Sequence, residues 1–222
     1  MDKKKLNIIL RGYIYKENWR PLSARRYRLK KRTYNINLIE HIEGYKNLIK
    51  ILEEKYDIKT YITTYDTTPI NILEEIRQKI QVEEFILSEE KNSHQFTTVI
   101  KIFKEIKFNE NDLILLIRPD LVIKQKLADL ILDHEFNQDL LYILKKERNP
   151  QKVIDVLHIF YGSKAQHILD YFLKLTGRVK DAHFIHKKIK ANFLLEENCQ
   201  DCLNTYLCKS FYEVVGGGEM KK

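Results

Sequence analysis

The apolar residues of this chain fall into short unbroken runs that alternate with stretches of helical spacing. The plainest run is Leu113-Ile114-Leu115-Leu116-Ile117, set between Asn111-Asp112 and Arg118-Pro119. A run of this length with polar edges predicts a strand buried on both faces, and therefore a central one. Pro119 cannot donate to a ladder, so pairing ends there. Residues 6–10, 58–64, 85–87, 140–144 and 153–160 predict further strands. Helical patterns lie between them. From Asn35, the residues Ile36, Ile39, Ile42, Leu48, Ile49 and Leu52 recur at helical spacing, and Thr68-Pro69 offers an N-cap and first-turn pair for a helix carrying Ile72, Leu73, Ile76 and Ile80. Ser93 is a cap for a helix reaching residue 107, and Leu127, Leu130 and Ile131 mark another. Gly162-Ser163 opens a last one, with Ile168, Leu169, Phe172 and Leu173 on one face.

This alternation implies parallel βαβ units, and so an α/β fold with a mostly parallel sheet flanked by helices. No long Pro-, Gly- or Ser-rich linker divides the chain. It reads as one domain over 1–215, with a helical C-terminal segment over 178–210 and a flexible tail over 216–222 that begins Gly216-Gly217-Gly218.

In such sheets ligands bind beyond the carboxyl ends of the strands, which is where Arg118 and Asp120 fall. A guanidinium can hold a phosphate through two N–H groups, and a carboxylate can hold a divalent cation or a sugar hydroxyl. The same two residues can instead pair with each other and close the strand end. Arg11-Gly12 ends the first strand in the same way, but the next glycine is Gly44, so neither a dinucleotide fingerprint nor a P-loop follows. Thr63-Thr64-Tyr65-Asp66 leaves the next strand with hydroxyls, a ring for stacking and a carboxylate, the groups that read a base and ribose. The alternative is a plain strand-to-helix turn, in which Thr67 or Thr68 caps and Asp66 favours the helix dipole.

Charge changes the picture at one end. The 222 residues carry a formal +8, yet residues 1–32 hold twelve Lys or Arg against Asp2 and Glu17, a net of +10, which leaves −2 for the rest. Seven of those basic residues lie between Arg20 and Arg32, around Tyr27. Such a field attracts an anion: a nucleoside diphosphate, a nucleic acid or a membrane surface. As part of a long connection over 12–34, beside the expected crevice, the run reads as a lid closing over a charged donor. The alternative is a nucleic-acid arm over 20–34, with Tyr27 and Tyr34 stacking on bases. No apolar run approaches the roughly 20 residues needed to span a bilayer, and 6–10 is too short for a signal peptide, so a soluble cytoplasmic protein is expected. His183-x-x-His186 and Cys199-x-x-Cys202 have zinc-ligand spacing in an order reversed from the usual finger; half-buried histidines and inert thiols are the alternative.

Four segments together resemble a known family. They are a strand ending Ile9-Leu10-Arg11-Gly12, a strand ending Tyr61-Ile62-Thr63-Thr64-Tyr65-Asp66, the stretch Ile117-Arg118-Pro119-Asp120-Leu121, and Asp155-Val156-Leu157-His158-Ile159-Phe160-Tyr161-Gly162-Ser163. In this order they resemble the small glycosyltransferases of large DNA viruses and bacterial surface-polysaccharide loci, which have the GT-A nucleotide-sugar-binding fold. The resemblance implies a transferase that moves a sugar from a nucleoside diphosphate donor to a glycan, glycoprotein or other hydroxyl acceptor, with Mn²⁺ or Mg²⁺ on the leaving diphosphate. It would place Arg11 and Gly12 beside the donor, Thr63, Thr64, Tyr65 and Asp66 around the nucleoside, Asp120 at the metal and Asp155 near the acceptor, as base if the enzyme inverts. Such enzymes commonly carry Asp-x-Asp, which is absent here. Arg118 stands where the first carboxylate would be, and can itself supply part of the charge a cation otherwise brings.

Overall fold

The computed structural model describes residues 3–19, 34–91, 96–143, 157–175, 191–193 and 212–214. Strand β1 (Lys4–Arg11) leads into a hairpin of β2 (Tyr15–Trp19) and β3 (Tyr34–Asn37), then helix α1 (Ile42–Leu52). Strand β4 (Tyr56–Tyr65), helix α2 (Ile70–Lys79), strand β5 (Glu84–Ser88) and helix α3 (Thr97–Glu105) follow. Next come β6 (Leu113–Ile117), β7 (Leu121–Ile123), α4 (Gln125–Asp133), β8 (Leu141–Ile143), β9 (Leu157–Tyr161), α5 (Ala165–Leu175), β10 (Ala191–Phe193) and β11 (Tyr212–Val214).

Among the described residues seven strands form one sheet, in the order β10-β8-β9-β6-β1-β4-β5. The run Leu113–Ile117 is its middle strand, and all five residues are buried. All neighbours pair in parallel except around β9, which runs antiparallel to both β6 and β8. The sheet is mostly parallel, as expected, with that strand the exception. Its sequence Leu-His-Ile-Phe-Tyr is buried on both faces like those of its neighbours, so hydropathy carries no record of direction.

Two apolar layers enclose the sheet. On one face Leu6, Ile8 and Leu10 of β1 pack with Tyr45 and Leu48 of α1, Ile76 of α2 and Leu127 and Ile131 of α4. On the other, Ile9, Ile114, Leu116 and Phe160 pack with Val99, Ile102 and Phe103 of α3 and Ile168 and Leu169 of α5. Alternation within β1 thus divides one strand between two cores. Helix α1 lies tight on β7: a Cβ on Gly44 would come within 2.7 Å of the Ile123 carbonyl oxygen.

Four local expectations change. The helical pattern from Asn35 starts as strand β3 and a 3-10 turn, Leu38–His41, capped by Asn37 Oδ1 accepting from Ile39 N at 3.2 Å, because Ile36 is buried as a strand residue of the hairpin. Helix α2 has Pro69 at its N-cap, while the Thr68 hydroxyl turns inward to Thr64 Oγ1 at 3.3 Å. In α5 Leu173 is exposed although Ile168 and Leu169 are buried. Within 178–210 the described residues, Ala191–Phe193, form an edge strand beside β8 rather than a helix. The basic run 20–33, Asp155, the His183/His186 and Cys199/Cys202 pairs and the tail 216–222 lie outside the described residues. Among the described residues no helix is long and apolar enough to cross a membrane.

Candidate active site

From β1 the chain passes to β4 and β5 on one side, then returns to place β6 on the other. The carboxyl ends of β1 and β6 therefore diverge at the switch point of the sheet, where α/β folds open a crevice. Arg11 and Gly12 leave β1 here, and Arg118-Pro119-Asp120 leaves β6. Gly12 has φ +114, a conformation that disfavours a side chain, and its N–H donates to the Thr63 carbonyl at 3.0 Å. This turn brings the two exits side by side, since a Cβ on Gly12 would lie 3.9 Å from Pro119 Cδ.

Arg118 and Asp120 form a two-bond ion pair: Nε donates to Oδ1 at 2.8 Å and Nη2 donates to Oδ2. Asp120 is nearly buried, with 8% of its side chain exposed, while the Arg118 side chain is 25% exposed. Two residues of the first face hold the backbone between them. Tyr45 donates its hydroxyl to the Arg118 carbonyl at 2.6 Å, and His41 Nε2 meets the Pro119 carbonyl at 2.7 Å. Burial and the nearby Asp120 carboxylate keep the Tyr45 phenol far above its ordinary pKa, so it stays a donor. The rim after β6 is thus fixed in position before any ligand arrives.

Arg11 is buried on the opposite face, near His158 of β9, which lies opposite Leu116. Burial first, and the Arg11 guanidinium second, push the imidazole down to about 3. His158 is therefore neutral in the fold, which keeps a second positive charge away from Arg11. An unfolded chain protonates this residue near 6.5 while the folded one resists to about 3, so folding stability falls as pH drops through that window. Unfolding free energy should decline by up to about 1.4 kcal/mol per pH unit below 6.5 from this residue alone. A His158→Gln variant unfolded in urea at several pH values should show a shallower decline; an unchanged slope would contradict the burial of this imidazole.

The segment after β4 is divided. Thr63 is fully buried and donates to the Thr98 carbonyl in the first turn of α3 at 2.8 Å, and the buried Thr64 engages Thr68. Tyr65 is covered by Tyr13, the ring centroids 4.3 Å apart. Asp66 is exposed, its carboxylate accepting from Glu90 N at 3.1 Å. Glu90 then gathers the rim: its carboxylate accepts from Tyr13 at 3.0 Å, Lys16 at 2.5 Å and the Thr67 hydroxyl. The three donors together pull its pKa down, although burial opposes them. Through Glu90 the connection that carries the basic run is anchored to the ends of β4 and β5. Sequence reading did not find Tyr13, Tyr45, Glu90 or His158. Glu90 meets Lys16 across 74 positions, a distance at which no local pattern exists.

The rim thus brings Gly12, Arg118 and Asp120 together, with Asp66 on the β4 side, whereas Arg11 is buried on the opposite face and Tyr65 lies beneath Tyr13. A divalent cation requires several oxygen ligands. Both Asp120 oxygens are engaged by Arg118, and among the described residues no group of three or more His, Cys, Asp or Glu is placed to hold a metal. As arranged, these residues do not fit Mn²⁺ or Mg²⁺.

No family model matches the chain, and no curated protein does. Solved structures similar to it include the glycosyltransferase GlyE of Streptococcus pneumoniae, at 15% identity and TM-score 0.44 over 86% of this chain and 45% of that one. Another is the galactosyltransferase LgtC, solved with donor and acceptor sugar analogues, at 8% identity and TM-score 0.47 over 81% of this chain and 68% of that one. A third is the 4-diphosphocytidyl-2C-methyl-D-erythritol synthase of Anaerococcus prevotii, at 11% identity and TM-score 0.47 over 81% and 80%. The chain spans less than half the length of the GlyE structures, 40% and 45%. Likeness of this degree carries no argument about reaction or substrate, and a functional reading rests on the residues themselves.

Proposed function

We propose that this protein transfers a sugar from a nucleoside diphosphate donor to a hydroxyl acceptor, with the donor seated at the carboxyl rim between β1 and β6. One observation carries the reading. A buried carboxylate holds a part-exposed guanidinium in a fixed orientation at the switch point of a parallel sheet, where a leaving diphosphate would lie. Transfer builds negative charge on that group, and a preorganised donor lowers the barrier only if it need not move. Arg118 is the group we assign to this charge, and Asp120 the residue that orients it. In this reading Arg118 takes over charge stabilisation from a cation, in keeping with the missing Asp-x-Asp. Arg11 adds a second, buried positive charge beside Gly12. Tyr13, backed by Tyr65, and Asp66 would face the nucleoside, Thr63 and Thr64 supporting them from below. Asp155 would serve the acceptor, as base if the reaction inverts.

The basic run 20–33 is assigned as the lid over the donor, tethered at its base by Glu90. Trypsin cleaves after Lys and Arg, so ordering of this run should protect it. Cleavage within 20–33 is expected to slow when a nucleoside diphosphate sugar is added. Unchanged cleavage at saturating nucleotide would leave the run as a solvated connection or a docking arm. Release of nucleoside diphosphate from UDP-, GDP- or TDP-sugars, stimulated by a hydroxyl acceptor, tests the reaction itself. No release from any of them would contradict it.

A further inference from the structure

The amino ends of the parallel strands, at the edge of the sheet opposite the rim, hold a second concavity. A cleft of about 490 Å³ opens between the starts of β1, β4 and β6 and the turn that follows α4. Its volume lies within the roughly 300–1,000 Å³ of small-molecule sites. Tyr56, Phe136 and Tyr161 give it ring surface, and Lys3, Lys4 and Lys55 surround it.

Two of the lysines are positioned by contacts that leave their charge intact. Lys55 Nζ donates to the Leu132 carbonyl at 2.6 Å and Lys3 Nζ to the Glu53 carbonyl at 2.5 Å. A carbonyl fixes an ammonium without cancelling it. Among the described residues lining the cleft, Glu135 is the one carboxylate, set against the three lysines. The ring wall is rigid as well. His134, Phe136 and Tyr142 form a mutual cluster with centroids 4.8–5.1 Å apart, and the Tyr161 hydroxyl reaches the Phe136 carbonyl at 3.4 Å. Burial, and then Lys55, push the His134 imidazole down, so it faces a ligand uncharged, able to donate or accept. Burial and Tyr161 push the Tyr56 phenol up to about 12, which keeps it a donor.

We propose that this cleft is a second ligand site, which takes a small aromatic phosphomonoester. Three ammonium groups against one carboxylate match the charge of a phosphate dianion, and lysine binds phosphate as a point charge needing no fork geometry. The tyrosine and phenylalanine rings match a flat body attached to it. Nothing in this inference depends on the donor site, since none of the rim residues lines the cleft.

The test is a backbone amide NMR titration of the full chain with phenyl phosphate, inorganic phosphate and benzoate as separate probes. Phenyl phosphate is expected to shift amides at 3–4, 55–56, 111–113 and 134–136, leave those at 11–12 and 118–120 in place, and bind more tightly than either other probe. Lys55→Gln and Lys4→Gln should each weaken it about fivefold, as loss of one exposed charge pair does, with unchanged melting temperature. Addition of a nucleotide sugar should leave the titration as it was. Equal binding of inorganic phosphate, shifts confined to the rim, or wild-type affinity in both variants would overturn the site, whether or not the rim binds a donor.

Discussion

Arg118→Lys is expected to lower turnover with a nucleotide-sugar donor by about 10²–10³, equivalent to roughly 3–4 kcal/mol, the usual cost of removing one preorganised charge-stabilising donor. Lysine keeps the charge but not the fork. Asp120 binds Nε and Nη2 of Arg118 together, and a single ammonium cannot occupy both positions while reaching a phosphate. Asp120→Asn should act through the same guanidinium, because an amide presents one accepting oxygen where the carboxylate presents two, and so holds Arg118 by one bond in place of two. Its turnover should fall by about one order of magnitude or more with a smaller change in donor affinity, as for an interaction made mainly in the transition state. A strand-closing ion pair with no role in transfer gives the opposite result. Both variants would then melt lower while donor affinity and turnover stay near wild type. Melting temperature measured beside kcat and KM separates the two outcomes.

Gly162→Ala is expected to cost about 3 kcal/mol of stability, and thus to lower the melting temperature by roughly 10 °C in a chain of this size. A Cβ on Gly162 would stand 2.0 Å from the carbonyl oxygen of Asn109 and 2.9 Å from its carbon, both backbone atoms. The turn it would strike is held firmly. Gly162 N donates to the Asp112 carbonyl at 2.8 Å and Ser163 N to the Glu110 carbonyl at 3.1 Å. The Asp112 carboxylate accepts from Asn7 of β1 at 3.3 Å and from Asn109 N at 3.4 Å. The loop before β6 is thereby tied to both β1 and the exit of β9, and it cannot retreat without breaking these bonds. Thermal unfolding followed by circular dichroism checks this; a melting point within about 2 °C of wild type would mean that the turn yields.

The central strand was legible because its signal is local. Five apolar residues between Asp112 and Arg118, with a proline behind, leave few alternatives to a strand buried on both faces, and its place in the middle of the sheet follows from that burial. The approximate positions of α2, α3 and α4 were legible for the same reason. Ile36, Ile39 and Ile42 misled because three apolar residues at spacing three fit one helical face, whereas the backbone passes through strand, 3-10 turn and helix in those seven residues. The direction of β9 left no trace in hydropathy. At the candidate site, strand ends drew attention to Arg11, Arg118 and Asp120, yet Arg11 turns inward and Asp120 is buried against Arg118. Whether Arg118 and Asp120 face each other or a ligand depends on side-chain direction, which sequence does not encode at that resolution. The Glu90 network and the His158–Arg11 pair were invisible because each joins residues from distant strands that only the sheet order brings together.

A thermal-shift titration of the full chain with UDP-, GDP- and TDP-sugars, with and without Mn²⁺, beside a mixed-sequence oligonucleotide, tests the donor site most directly. A ligand present at a hundred times its dissociation constant stabilises a folded protein by about 2.7 kcal/mol, which in a chain of this length raises the melting temperature by roughly 5–10 °C. At least one nucleotide sugar should produce a shift of that order, it should persist without Mn²⁺, and Arg118→Lys should reduce it. No shift with any nucleotide sugar, together with micromolar oligonucleotide binding that weakens steeply with salt, would contradict the donor site and assign the basic run to nucleic acid.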